Sequence, residues 1–227
     1  MLYIQKNLLI GMPLTLLVVN TLSFADADFY AGLKGGTSWQ KNQYLHQNSI
    51  NFVQMRFSKK INANHAFSAV GGYRTDFGLM LEIELSYRKN ELRSFNRRVY
   101  EGGKTSGGGY SKAFIIFSNL WYNIPMPDSL EKFNPYIGAG IGRMEYNLNH
   151  LKTKELSFGN NYKDQVTAYQ LGIGVGYNLN KNIMLTLDYR YIFTESGNFG
   201  NINYLPLGDV KTSYKARSVS LGMIYSF

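Results

Sequence analysis

The chain has 227 residues, no cysteine, and 24 Lys+Arg against 15 Asp+Glu, a formal charge of +9. Apolar residues make up 44% and aromatics 15%, but charged residues only 17%; soluble domains average about 25% charged, and this aromatic content excludes a disordered chain. The lack of cysteine excludes a disulfide scaffold and any cysteine-based metal or redox centre, and no triplet or heptad repeat supports collagen or a coiled coil.

Met1–Ala25 has the three-part layout of a cleaved export signal. Lys6 precedes the apolar stretch Leu8–Val19, and the small residues Ser23 and Ala25 follow at cleavage positions. As a membrane anchor the run is short of the roughly 20 residues a bilayer requires, and Pro13 interrupts it. The expected organisation is a signal at 1–25 and one domain at 26–227, with a charge of +8 once Lys6 is removed.

The remainder alternates with period two, the mark of strands whose two faces differ. Eight such runs are expected, in order Asp28–Trp39, Ala66–Arg74, Leu79–Lys89, Lys112–Asn123, Asn134–Tyr146, Thr167–Asn178, Ile183–Phe193 and Lys215–Phe227. Within them Leu81, Ile83 and Leu85 oppose Glu82, Glu84 and Ser86; Ile137, Ala139 and Ile141 oppose glycines; so do Leu171, Ile173 and Val175; and Val219, Leu221, Met223, Tyr225 and Phe227 share one face. Connections Thr75–Gly78, Ile124–Phe133 and Asn178–Asn182 are short, whereas 40–65, 90–111, 147–166 and 194–214 are long.

Short turns at one end and long loops at the other describe an outer-membrane barrel. A soluble barrel or sandwich would carry charge on its second face; here that face is mostly Gly, Ser and Thr, which suit the narrow lumen of eight strands. The fold predicted is therefore all-β, an antiparallel up-and-down transmembrane β-barrel of eight strands, the apolar face against lipid. Phe29, Tyr73, Tyr87, Tyr136, Tyr177, Tyr189, Tyr225 and Phe227 are expected in the aromatic girdles. Ile50–Phe57 also alternates and reads as an extension above the membrane; paired with a strand near Asn149–Phe158 it would make the barrel ten-stranded instead.

Several segments resemble the eight-stranded outer-membrane barrels: the OmpA transmembrane domain, OmpX and Ail, and the opacity-type surface antigens. Phe29–Lys34 is similar to the opening strand of OmpA, Gly72 to Tyr87 to its second hairpin, and Pro135–Gly140 to a stretch shared by opacity-like barrels. The alternating end Val219–Phe227 resembles the signal read by the outer-membrane assembly machinery, with Tyr225 and Phe227 as its aromatic marks. The resemblance implies an integral outer-membrane protein of a Gram-negative bacterium, loops extracellular and both termini periplasmic. Gly176 and Thr186 stand where the OmpA pattern carries an inward acid and Arg, so its interior charges do not transfer.

Two groups of candidate site residues follow. The inward-facing charges Lys34, Arg74, Glu82, Glu84, Arg88, Asp188 and Arg190, with Lys112 beside them, are expected to form a paired network closing the lumen, because buried charges require partners. The second group is basic. Ser38–His65 carries +4 and no acid, and Arg88–Lys112 carries +5. Lys59, Lys60, Arg93, Arg97, Arg98 and Lys104 in these loops are expected to attract anions: lipopolysaccharide phosphates, host glycans or host surface proteins, but not nucleic acid. Gly103-Lys104-Thr105 ends like a phosphate-binding loop, but Arg98 holds the earlier glycine position, and His46, His65 and His150 join no catalytic constellation. The sequence thus reads as a non-enzymatic surface antigen or adhesin without cofactor or metal; a structural barrel supporting the membrane and its lipopolysaccharide is the alternative, ahead of a small pore or a lipid A-modifying enzyme.

Overall fold

A computed structural model describes residues 28–47, 50–59, 64–97, 104–153, 162–198 and 211–227. The expected signal segment, Lys60 and Arg98 lie outside these residues, as do the side chains of Arg97 and Lys104. Ten strands follow one another: β1 (Asp28–Gln40), β2 (Gln43–Gln47), β3 (Ile50–Phe57), β4 (Asn64–Arg74), β5 (Leu79–Arg97), β6 (Lys104–Asn123), β7 (Phe133–Thr153), β8 (Tyr162–Asn178), β9 (Ile183–Asn198) and β10 (Lys211–Ser226).

Every described pairing is antiparallel, and β1 against β10 closes the sheet into a barrel. The wall holds eight strands at each level although ten are counted. Near the termini the order around it runs β1, β4, β5, β6, β7, β8, β9, β10; towards the other end β2 and β3 take the places of β1 and β4, between β10 and β5. Ile50–Phe57 is accordingly an upward extension of the first hairpin, and Asn149–Thr153 continues β7 rather than forming a further strand.

The short turns have local causes. Between β4 and β5, Thr75 bonds Leu79 three ways, and Gly78 adopts φ +86°, which glycine takes without strain. Between β8 and β9, Asn180 Oδ1 accepts the N–H groups of Asn182 and Ile183, an Asx turn. Pro127 leads into a single 3-10 turn, Asp128–Leu130, between β6 and β7.

The expected long loops are a correction. Asn90–Arg97 and Lys104–Ser111, Asn147–Thr153 and Tyr162–Val166, and Glu195–Asn198 and Lys211–Tyr214 continue as strand. The outer face is polar there and the inner one mixes Leu92, Leu148, Val166 and Tyr214 with Asn90, Ser94, Ser111 and Thr212, so the alternation that marks a strand in sequence fades although the ladder goes on. Arg93, Arg97 and Lys104 consequently stand on β5 and β6, not in loops.

The outer wall is apolar and open: Leu33 is 71% exposed, Leu221 68% and Phe227 76%. A patch of this size requires a lipid or protein cover. Its height fits a bilayer. Arg217 lies ten residues above Phe227, about 25 Å at roughly 3.3 Å per residue and a tilt near 40°. Aromatics ring the lower edge, with Phe29 against Tyr73 at 5.6 Å and Phe133 against Tyr177 at 5.2 Å. Tyr169, Phe193 and Tyr191 stack along the upper one. Tyr136 does not join them: it faces inward and is buried, because it shares the parity of Gly138 and Gly140.

Candidate functional site

The lumen is filled in layers. Tyr30, Val70, Met80, Trp121, Tyr136, Met184 and Ile224 pack at the short-turn end, and a second apolar cluster including Met55, Phe57, Ile115, Phe117, Met144 and Ile192 fills the other half. Between them lies a charged layer. Arg190 reaches three carboxylates: Glu84, Asp188 at 3.2 Å and Glu82 at 3.9 Å. Lys34 reaches Asp188 at 3.2 Å. All five side chains are at most 4% exposed.

Neutral donors complete the network. Trp121 Nε1 and Asn119 Nδ2 each donate to Glu82 at 3.0 Å, Gln170 Nε2 to Glu84 at 3.0 Å, Ser68 Oγ to Glu84 at 2.8 Å, and the Tyr136 hydroxyl to Asp188 at 2.8 Å. Carboxylates so engaged are held in place as structural groups. Arg74 and Arg88 do not join. Arg74 sits nearer the mouth, 5.9 Å over the Tyr30 ring. Arg88 is buried two inward positions above Glu84 and forms no ion pair among the described residues, and its Nε and Nη1 lack hydrogen-bond partners. Lys112 faces outward, since inward Ser111 and Ala113 flank it.

Glycines make this network reachable. Trp121, Gly138, Gly172 and Arg190 lie in register on four adjacent strands. The two glycines leave a slot across β7 and β8 in which the indole lies, with the Arg190 guanidinium 4.8 Å from its ring. Gly174 stands in register between Tyr136 and Asp188, and a Cβ there would come 2.5 Å from the Tyr136 ring. Gly140 likewise separates Asn119 from Gln170. In sequence these glycines are small residues that suit a narrow lumen; their part in letting side chains span it depends on register.

The second candidate is the outer wall just above the apolar band. There the first outward charge is a cation on β5 (Lys89), β6 (Lys112), β7 (Arg143) and β10 (Arg217), with Lys41 just beyond β1. Lys89 and Lys112 lie over the Tyr110 ring at 4.7 and 5.2 Å, and Lys41 over Tyr191 at 5.1 Å. Among the described residues none of these five, nor Lys59, Arg93 or Lys215, forms an ion pair; Lys163 does, with Glu145 at 2.7 Å. That bond holds the Glu145 carboxyl below the usual carboxylate range. The collar was legible as the first charge following most outward apolar runs, Glu195 on β9 being the acidic exception. The short-turn end differs: Asp28, Asp76, Asp128 and Glu131 outnumber Arg74, Lys132 and Lys181.

Tyr225 and Phe227 close the lipid face of β10, their rings 5.2 Å apart, and the Phe227 N–H donates to the Phe29 carbonyl at 3.0 Å. Among the described residues no three His, Asp or Glu side chains cluster as metal ligands.

A family model described as outer membrane protein beta-barrel domain matches residues 13–227. Among solved structures, OprG from Pseudomonas aeruginosa is similar at 13% identity and TM-score 0.56, covering 88% of this chain and 95% of that one. The outer membrane protease OmpT from Escherichia coli follows at 10% identity and TM-score 0.54, covering 92% and 99%. AlkL, determined in DMPC bilayers, has 17% identity and TM-score 0.51, covering 91% and 93%. At these identities the likeness is one of fold, and it joins a protease to proteins of other kinds. No curated protein matches the chain.

Proposed function

The chain belongs to the outer membrane protein beta-barrel domain family, whose members lie in the Gram-negative outer membrane, and on that premise we propose that it is a non-enzymatic surface-interaction protein, an adhesin-type barrel whose basic end binds anionic partners. The long-hairpin end faces the outside and both termini the periplasm. The observation that carries this reading is the positive charge gathered at that end, where Lys59 and Arg93 form no ion pair among the described residues, against the acidic excess at the other. Such a field draws in polyanions and raises their rate of encounter. Lipopolysaccharide phosphates, sulfated host glycans and acidic patches of host proteins are the partner classes. The layered lumen supports neither a pore nor a site for chemistry, because its carboxylates are engaged by Arg190, Lys34 and neutral donors.

Binding of the purified barrel to heparin-like glycan across a salt series tests this reading. Binding should fall steeply as salt rises, since exposed charges are screened beyond about 8 Å at 0.15 M. Neutralising Arg93, Arg97 and Arg98 together should weaken it while the barrel stays folded. Unchanged binding would favour the structural alternative, a barrel that only stabilises the membrane and its lipopolysaccharide.

Assembly gives a separate expectation. We take Tyr225 and Phe227 as the mark read by the assembly machinery. A Phe227→Asp variant should reach the outer membrane at reduced level yet fold from urea into detergent, because a charge at the interface costs only about 0–1 kcal/mol. Normal surface levels would count against a recognition role.

A further inference from the structure

The wall has a seam. The β1–β4 ladder stops at Gly36 and Ala66, and the β2–β3 ladder begins at Gln43 and Met55. Between them side chains bridge the gap: Thr37 Oγ1 donates to the Asn64 carbonyl at 3.1 Å, and Trp39 Nε1 to the Lys59 carbonyl at 3.2 Å. Asn64 ties the edge of the seam to its neighbours, donating to the Ser58 carbonyl and accepting the Glu91 N–H. Outside the seam is a groove of about 600 Å³, lined by Trp39, Lys41, Phe57, Lys59 and Arg217 among others. That volume falls in the range of roughly 300–1,000 Å³ usual for ligand sites.

We propose that this groove binds the phosphorylated headgroup of a membrane lipid in the leaflet at the long-hairpin end. Charge is the first reason. Three cations from three segments meet there, and among the described residues none has a carboxylate partner. The planar Arg217 fork matches two phosphate oxygens, and the Lys41 and Lys59 ammoniums supply further charge for a dianion. Level is the second. Arg217 marks the top of the apolar band, where lipid phosphates lie, and Val219, Leu221 and Met223 descend beneath it on the same outer face as a track for acyl chains. Shape is the third. Trp39 is held by its bond to Lys59, and Phe57 forms an apolar floor; an amphipathic ring at this height anchors an interface. A free phosphate would use the cations but neither the track nor the floor. The proposal rests on the outward orientation of this end and the anionic partners proposed above, but it does not use Arg93, Arg97 or Arg98, so its failure is distinguishable from failure of glycan binding.

The test uses the whole barrel in a non-ionic detergent, titrated in mixed micelles with lipid A carrying both phosphates, with bound lipid counted by native mass spectrometry. Lys41→Gln with Arg217→Gln should weaken retention about tenfold or more, the scale of losing two charge-assisted contacts. Lys41→Arg, which keeps the charge and leaves the Arg217 fork intact, should retain the lipid, and loss of retention there would overturn a charge-based site. Lys89→Gln with Lys112→Gln removes equal charge elsewhere on the collar and should change retention little; an equal loss there would reduce the groove to general attraction and overturn the site. Equal retention of dephosphorylated lipid A would overturn the phosphate. Displacement by inorganic phosphate at the lipid's own concentration would assign the groove to a free anion and overturn the lipid. All three variants lie on the outer wall, and heat-modifiable gel mobility confirms that each is folded.

Discussion

Arg190→Met is expected to be among the most destabilising single changes in this barrel, by about 3–5 kcal/mol, the cost of leaving buried charge without its partner. Among the described residues Arg190 is the one cation that reaches Glu82, Glu84 and Asp188 together. Its loss leaves Glu82 and Glu84 with neutral donors and Asp188 with Lys34. Lys34→Met should cost less, since Asp188 retains Arg190. Pairing Arg190→Met with Glu84→Gln should return part of the loss, as coupled residues of one network do. Urea unfolding in lipid vesicles, followed by the heat-modifiable band, measures all three variants. If Arg190→Met stayed within about 1 kcal/mol of the parent, the size of an ordinary substitution, the network would be ornamental and the apolar layers would hold the lumen.

Gly138→Val should be comparably damaging for a steric reason. A Cβ at Gly138 would stand 2.3 Å from the Leu120 carbonyl oxygen and 2.4 Å from the Trp121 ring. The first obstacle is backbone, so a side-chain rotation does not relieve it. Overpacking commonly costs about 1–3 kcal/mol and sometimes more; here it also pushes the indole away from Glu82, which it bonds at 3.0 Å, and from the guanidinium beside it. Trp121→Phe in the Gly138→Val background removes part of the ring and should recover little, because the Leu120 oxygen remains. Gly71→Val is the control: Gly71 faces outward with its nearest contact at 3.9 Å, and the variant should fold as the parent does. Refolding yield into detergent separates the two positions; equal yields would mean that the slot across β7 and β8 is looser than its register implies.

The sequence by itself determined which residues meet lipid. A face held in hydrocarbon must be apolar at every second position, so Leu81, Ile83 and Leu85, or Leu221, Met223 and Tyr225, announce themselves, and with them the strands, the short turns and the closed barrel. The same parity placed Glu82, Glu84, Asp188 and Arg190 inside. It also contained the outward turn of Lys112 and the inward turn of Tyr136, which a reading by composition or by nearness to a strand end passed over. Only the tertiary structure decided the partners. Whether Arg190 meets Glu84 or Arg88 depends on how strands remote in sequence slide past one another, and side-chain period two says nothing about register. The glycine rungs are the clearest case: Gly138 and Gly172 are plain small residues until register sets Trp121 on one side and Arg190 on the other. The height of the wall was equally hidden, because above the membrane the outer face is wet and the inner one mixes Leu92 and Leu148 with Asn90, Ser94 and Ser111, and hydrogen bonding continues the strands where hydrophobic patterning no longer reports them.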